Sequence, residues 1–214
     1  MLRQAAYSAI EDLLNQGRLK PGQVVSQREL VDATGLTLGA VREAIPRLEA
    51  EGLLTTLPQR GLMVPSLDVG FVRDAYQLRL LMEVAAVPVA MQNLPPQWFA
   101  EWIHRHEEVL ARLKRDQDPV TAHEIQRLDW ELHAQMIGAL GNALMTNVYR
   151  VTAIKIGMAV QSRIRVTLLN AERVTIEHLA FLRLMAQGDE AAAVDAIKTH
   201  VGNSLTLALG GEIA

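Results

Sequence analysis

The sequence of 214 residues contains no cysteine. That excludes a disulfide scaffold, a thiolate metal site and a cysteine nucleophile. It also fits a reducing compartment. Aromatic residues make up only 4% of the chain, while alanine and leucine abound, so the composition leans to helix. No run of about 18 uncharged apolar residues occurs, and no membrane-spanning helix is expected. The opening stretch MLRQAAYSAIEDLL is charged throughout and does not read as a secretory leader. The expected location is the cytoplasm. An excess of positive charge is missing too. The formal net charge is −3, and residues 1–65 hold seven Lys/Arg against seven Asp/Glu. Nucleic-acid binding would therefore have to come from a local arrangement of arginines, not from a basic domain. What the chain does have is a large apolar share: 50% of residues are hydrophobic and 21% charged, as in a globular protein with a real core.

The N-terminal third reads as three helices and a hairpin. Residues 3–16 are amphipathic, with Ala6, Ile10, Leu13 and Leu14 on one side, and Gly17 stops them. Ser26 followed by Glu29 is a capping box that starts a short helix to about Ala33, with Gly35 as its C-cap. Thr37 can cap a helix over 38–51 that buries Val41, Ala44, Ile45 and Leu48. Residues 53–64 read as two short strands around PQRG. This order is that of a winged helix-turn-helix, whose second helix of the pair enters a DNA major groove.

After residue 70 the strand signal ends. Helical stretches run over about 70–92, 96–115, 119–140, 142–168, 172–187 and 189–209. Short connections between them imply an antiparallel bundle. The expected fold is mostly α: a winged helix-turn-helix domain over 1–65, a linker over 66–70, and an all-helical domain over 71–214.

The segment LDWELH (128–133) sets Asp129 and His133 one turn apart on the arc of Leu128, Leu132, Met136 and Leu140. His178 lies among Val174, Phe181, Leu182 and Met185. His200 sits at the edge of a stripe made by Val194, Ile197, Val201 and Leu205. One carboxylate and three imidazoles therefore point inward from three helices. A buried carboxylate needs a partner. A divalent metal supplies one, and this donor set suits Zn²⁺, Ni²⁺, Mn²⁺ or Fe²⁺. A buried Asp129–His133 hydrogen-bonded pair with ordinary core histidines is the alternative. His104, His106 and His123 are expected on the surface. Glu131 and Glu177 adjoin ligand positions, but helical geometry is expected to point them away.

GRLKPG (17–22), REL (28–30), TGLT (34–37), VREA (41–44), RLEAEGLL (47–54) and RG (60–61) together resemble the winged-helix domain of GntR-family bacterial transcription regulators. LRLLME (78–83), DWELH (129–133), GN (141–142) and EHLAFLRLMAQGDEAAAVDAIKTH (177–200) resemble the helical effector-binding domain, called FCD, of the FadR-like branch. The resemblance covers nearly the whole chain.

It implies a ligand-responsive regulator, not an enzyme, that reads a double-stranded DNA operator and is expected to repress. A homodimer is expected, since helix-turn-helix proteins usually read two half-sites. The expected DNA-binding set is Arg28, Thr37, Arg42, Arg47, Arg60 and Gly61. Arginine forks suit guanine edges and phosphates, and Gly61 would let the wing approach a groove. The family usually enters this helix with Ser-Arg-x-Pro; here the stretch is Thr37-Leu38-Gly39-Ala40. Pro46 inside the helix predicts a kink.

The resemblance also implies metal binding by Asp129, His133, His178 and His200, with a small carboxylate as effector. Arg79 and Asn142 are its candidate effector contacts, with Arg163 and Arg165 as further positive charge. Arg79 and Glu83 could equally form an i, i+4 ion pair. Two competing readings are a metal-dependent enzyme on a helical bundle, and a regulator whose metal is structural or itself sensed.

Overall fold

The computed structural model describes the backbone of residues 2–116, 119–160 and 168–213, and their side chains apart from residues 116, 119–123 and 168–169. Arg163, Arg165 and the side chain of His123 lie outside the described residues. The described residues form helices α1 (Leu2–Asn15), α2 (Gln27–Thr34), α3 (Leu38–Ala50), α4 (Val69–Asn93), α5 (Pro96–Asp116), α6 (Pro119–Gly138), α7 (Ala143–Val160), α8 (Leu168–Gln187) and α9 (Glu190–Ala208). Strands β1 (Val24–Val25), β2 (Thr55–Leu57) and β3 (Gly61–Met63) complete them.

The chain divides into two compact units. One is Met1–Phe71 with Val151–Ser162; the other is Val72–Arg150 with Arg163–Ala214. The mostly helical fold is as expected, and no described helix is long and apolar enough to cross a membrane.

In the first unit, local signals set the element ends. Ser26 Oγ accepts from Glu29 N–H at 3.1 Å, and Glu29 Oε2 accepts from Ser26 N–H at 2.7 Å. Both bonds satisfy amides that the first turn of α2 leaves without partners. Gly35 ends α2 at φ 69°, a left-handed value that glycine adopts without a Cβ penalty. Thr37 caps α3 through Ala40 N–H at 3.3 Å. α3 runs unbroken as helix through Pro46, which is exposed.

The apolar faces of α1 and α3 meet: Tyr7, Ile10 and Leu14 share a core with Val41, Ala44 and Leu48. Burying each large aliphatic side chain contributes about 1.5–3 kcal/mol. Ile154 and Met158 of α7 belong to the same core, which is why Val151–Ser162 groups with this unit.

The sheet order is β1-β3-β2, both pairings antiparallel. The sequence pattern predicts the β2–β3 hairpin but not β1. Two residues, Val24 and Val25, are too few to show an alternating pattern, and only their pairing with Met63 and Leu62 defines the strand.

In the second unit α8 packs against α5, α6 and α9, and α5 packs against α6. This arrangement brings the inward faces of α5, α6, α8 and α9 to one interior region.

Candidate metal centre and nucleic-acid interface

Asp129 and His133 on α6, His178 on α8 and His200 on α9 converge as the sequence pattern predicts. One ligand atom from each lies within 4.8 Å of all the others. Asp129 Oδ1 stands 3.0 Å from His178 Nε2, 3.5 Å from His133 Nε2 and 3.7 Å from His200 Nε2. The three imidazoles are 0% exposed.

The outer nitrogen of each ring faces a polar neighbour. His200 Nδ1 lies 2.8 Å from Glu177 Oε2. His178 Nδ1 lies 3.0 Å from His106 Nε2. His133 Nδ1 lies 2.8 Å from Glu83 Oε2, off the line of a good hydrogen bond.

These outer partners turn the Nε2 edges inward. A ring that donates through Nδ1 to a carboxylate presents its lone pair at Nε2. His200 Nε2 is buried and has no hydrogen-bond partner. A buried acceptor aimed at a carboxylate and two other ring nitrogens is costly alone, and a cation satisfies it. The donor set therefore fits a divalent metal.

Charge placement agrees at two of the three rings. Burial depresses the pKa of His200 and His178, helped at His200 by the neighbouring rings, and both stay neutral as ligands must. Burial opposes charge on Asp129, yet His133, 3.5 Å away, and the Arg79 guanidinium hold its pKa well below the usual range. Burial also depresses His133, but the Glu83 carboxylate outweighs it and raises the pKa.

Glu83 is itself held. Its Oε1 takes hydrogen bonds from Arg79 Nε and, at 2.8 Å, from Tyr149 OH. Burial and Glu83 together keep the Tyr149 hydroxyl protonated, with its pKa well above 10. Arg79 and Glu83 are 3% and 0% exposed. The pair is thus a buried support for His133, not the surface ion pair that its i, i+4 spacing also allowed.

Two expectations need correction. His106 is not a surface residue. It is 1% exposed and bonded to Trp102 O and His178. His104, expected on the surface, is indeed exposed and faces Glu108. The better signal was the stripe Phe99, Trp102, His106, Val109 and Leu113, which is buried along α5.

Glu177 does not point away. It reaches sideways to His200 and Asn203 on α9 and pairs with Arg173. Glu131 does point away, pairing with Arg105 at 3.0 Å. Asn142 is exposed and caps α7, its Oδ1 accepting from Leu144 and Met145 N–H. No described contact joins it to the histidine cluster.

In the first unit Arg28, Thr37, Arg42, Arg47 and Arg60 are all exposed. Arg42 Nε donates to Gln27 Oε1 at 2.9 Å, which ties α3 to α2. Arg47 is more constrained: its guanidinium lies 3.9 Å from the centre of the Tyr7 ring and bonds Glu51 and Gln4. Leu38 stands 40% exposed at the start of α3, where the family usually has arginine. Gly61 has φ 110°, and a Cβ there would meet Val25 O at 2.7 Å. The glycine is needed for β3 to lie against β1, whatever the wing touches.

Residues 2–64 match the model for bacterial regulatory proteins of the gntR family, and residues 74–203 match that of the FCD domain. The chain belongs to the GntR family and carries an FCD domain. Both matched families are regulators, not enzymes.

The chain is 30% identical over 134 residues to the Nta operon transcriptional regulator of Aminobacter aminovorans, a match spanning 61% of this chain and 60% of that protein. It is 31% identical over 105 residues to the HTH-type transcriptional regulator McbR of Escherichia coli strain K12, spanning 49% and 46%. The chain thus matches less than two thirds of the length of either relative. The structure of E. coli McbR superimposes with a TM-score of 0.82 at 17% identity, covering 97% of both chains; this likeness shows the fold.

Proposed function

We propose that this GntR-family protein is a DNA-binding transcription regulator whose FCD domain holds a divalent metal and responds to a small carboxylate. One observation carries the metal reading: Asp129 Oδ1 and three inward Nε2 atoms converge, while the outer side of each ring faces Glu83, His106 or Glu177. Asp129, His133, His178 and His200 would hold the ion. When bound, it supplies a Lewis-acidic charge to which a carboxylate can be attracted. Arg79 contributes positive charge nearby, with Nη2 buried and unpaired. Arg28, Arg42 and Arg60 are the exposed arginines available for DNA on α2, α3 and the wing. A homodimer reading two half-sites fits this architecture. Repression follows if the acid binds the DNA-free form more tightly, because regulation requires differential affinity.

A second reading has its own support. The three histidines are fully buried, and closed sites are typical of structural metals. One experiment separates the two. Chelator-stripped protein is unfolded thermally with Zn²⁺, Ni²⁺ or Mn²⁺, then with small carboxylates added. A ligand bound only by the folded state raises the midpoint. Under the effector reading, one acid raises it further only when metal is present and also releases operator DNA. A metal shift with no response to any acid supports the structural or sensing role. No shift with any metal overturns both.

A further inference from the structure

We infer that His106 is a positioning residue for the metal centre, fixing His178 so that its Nε2 faces the ion. The inference rests on the metal reading above.

The hydrogen-bond chain sets the proton positions. The carbonyl of Trp102 can only accept, and it lies 2.7 Å from His106 Nδ1. His106 therefore donates through Nδ1. In a neutral imidazole the lone pair is then on Nε2. That atom lies 3.0 Å from His178 Nδ1, so His178 must supply the proton between them. With its proton committed to Nδ1, His178 has its lone pair on Nε2, the atom 3.0 Å from Asp129 Oδ1. A helix carbonyl on α5 thus dictates, through one ring, which nitrogen on α8 is free for metal.

His106 holds the place that carboxylates hold behind the other two rings. Glu83 stands behind His133 and Glu177 behind His200. Each of those carboxylates has its own arginine, Arg79 or Arg173. A neutral ring behind His178 orients it without adding a third negative charge to a buried site. It also polarises His178 less than a carboxylate would.

Packing confers none of this. The His106 ring also contacts Trp102, with centroids 5.8 Å apart, and an apolar residue could serve that role. The test compares the full chain with His106→Leu, which fills the space without an acceptor, and His106→Gln, whose Oε1 can restore one near the position of Nε2. Zn²⁺ alone is titrated into stripped protein. His106→Leu should lose about 10–100-fold in Zn²⁺ affinity, and His106→Gln should recover most of it.

A spectroscopic readout separates orientation from bulk stability. Imidazole ¹⁵N spectra of the wild type should show His106 protonated at Nδ1, with a nitrogen–nitrogen coupling to His178 across the hydrogen bond. His106 protonated at Nε2 without that coupling overturns the inference, even if His106→Leu fails to fold. So does wild-type Zn²⁺ affinity in a folded His106→Leu protein. Failure of the wild type itself to bind any metal would instead sink the metal reading on which the inference stands.

Discussion

Glu177 Oε2 lies 2.8 Å from His200 Nδ1, on the side of the ring away from Asp129. The carboxylate is not a ligand of the cluster. It decides which edge of His200 faces the cluster, and it reaches from α8 to α9 to do so. Arg173 pairs with the same oxygen, and Asn203 Nδ2 donates to the other at 2.6 Å. Three neighbours thus fix its position.

Replacing Glu177 with glutamine keeps the shape and removes the charge. His200 would then lose its strongest outer partner, and Arg173 would lose its counter-charge. Metal affinity should fall about 10–100-fold, the usual cost of removing an outer partner of a ligating histidine. Because Glu177 is partly exposed, the metal-free fold should survive. Metal titration together with urea unfolding of the stripped protein checks both parts. An unchanged metal affinity would mean that the 2.8 Å contact has no effect on ligand basicity.

The stripped protein should lose stability as pH falls below about 6.5, where unfolded histidines take up protons. In the fold, burial holds His178 and His200 neutral and pushes His106 down to about 3. Below 6.5 the unfolded chain therefore binds more protons at these three sites, and stability drops with pH. His133 works the other way: its raised folded pKa adds stability that is full below about 6.5 and is lost as pH rises through the raised folded value. Three groups against one leave a net loss on acidification, each net proton contributing about 1.4 kcal/mol per pH unit. Urea unfolding at pH 7.5 and pH 5.5 measures it. Equal stabilities would show that the rings charge freely inside the bundle.

Much of this was legible from spacing alone. Capping residues announced α2 and α3 because Ser26, Glu29, Gly35 and Thr37 act on amides within a few positions of themselves. The four converging ligand residues showed themselves as polar interruptions of apolar stripes. Their outer partners did not. Glu83, His106 and Glu177 act across helices, and local periodicity carries no record of which helices become neighbours. His106 was the exception in principle, since it lies on a buried stripe of α5. Arg79 and Glu83 read as an ordinary helical pair because spacing cannot distinguish a buried face from a wet one on a helix as apolar as α4.

Gly61 invites the last prediction, since two explanations for it diverge. A glycine at the wing tip can serve DNA by letting backbone approach a groove. The fold gives it an independent reason: φ is 110°, and a Cβ would stand 2.7 Å from the carbonyl oxygen of Val25. That contact is with backbone, so no flexible side chain can yield. β3 lies between β1 and β2, and Leu57 pairs with Gly61 in the register. Gly61→Ala should therefore destabilise the first unit even without DNA, by about 1–3 kcal/mol from the backbone conformation alone. Displacement of β1 should add to this. Chemical denaturation of the DNA-free protein reads the effect, with intrinsic fluorescence kept out of it because the three tryptophans lie on α5 and α6. Amide exchange at Val25 and Leu62 is the local probe, and it should speed up. If exchange there is unaltered while operator binding is lost, the glycine serves the nucleic acid and not the sheet.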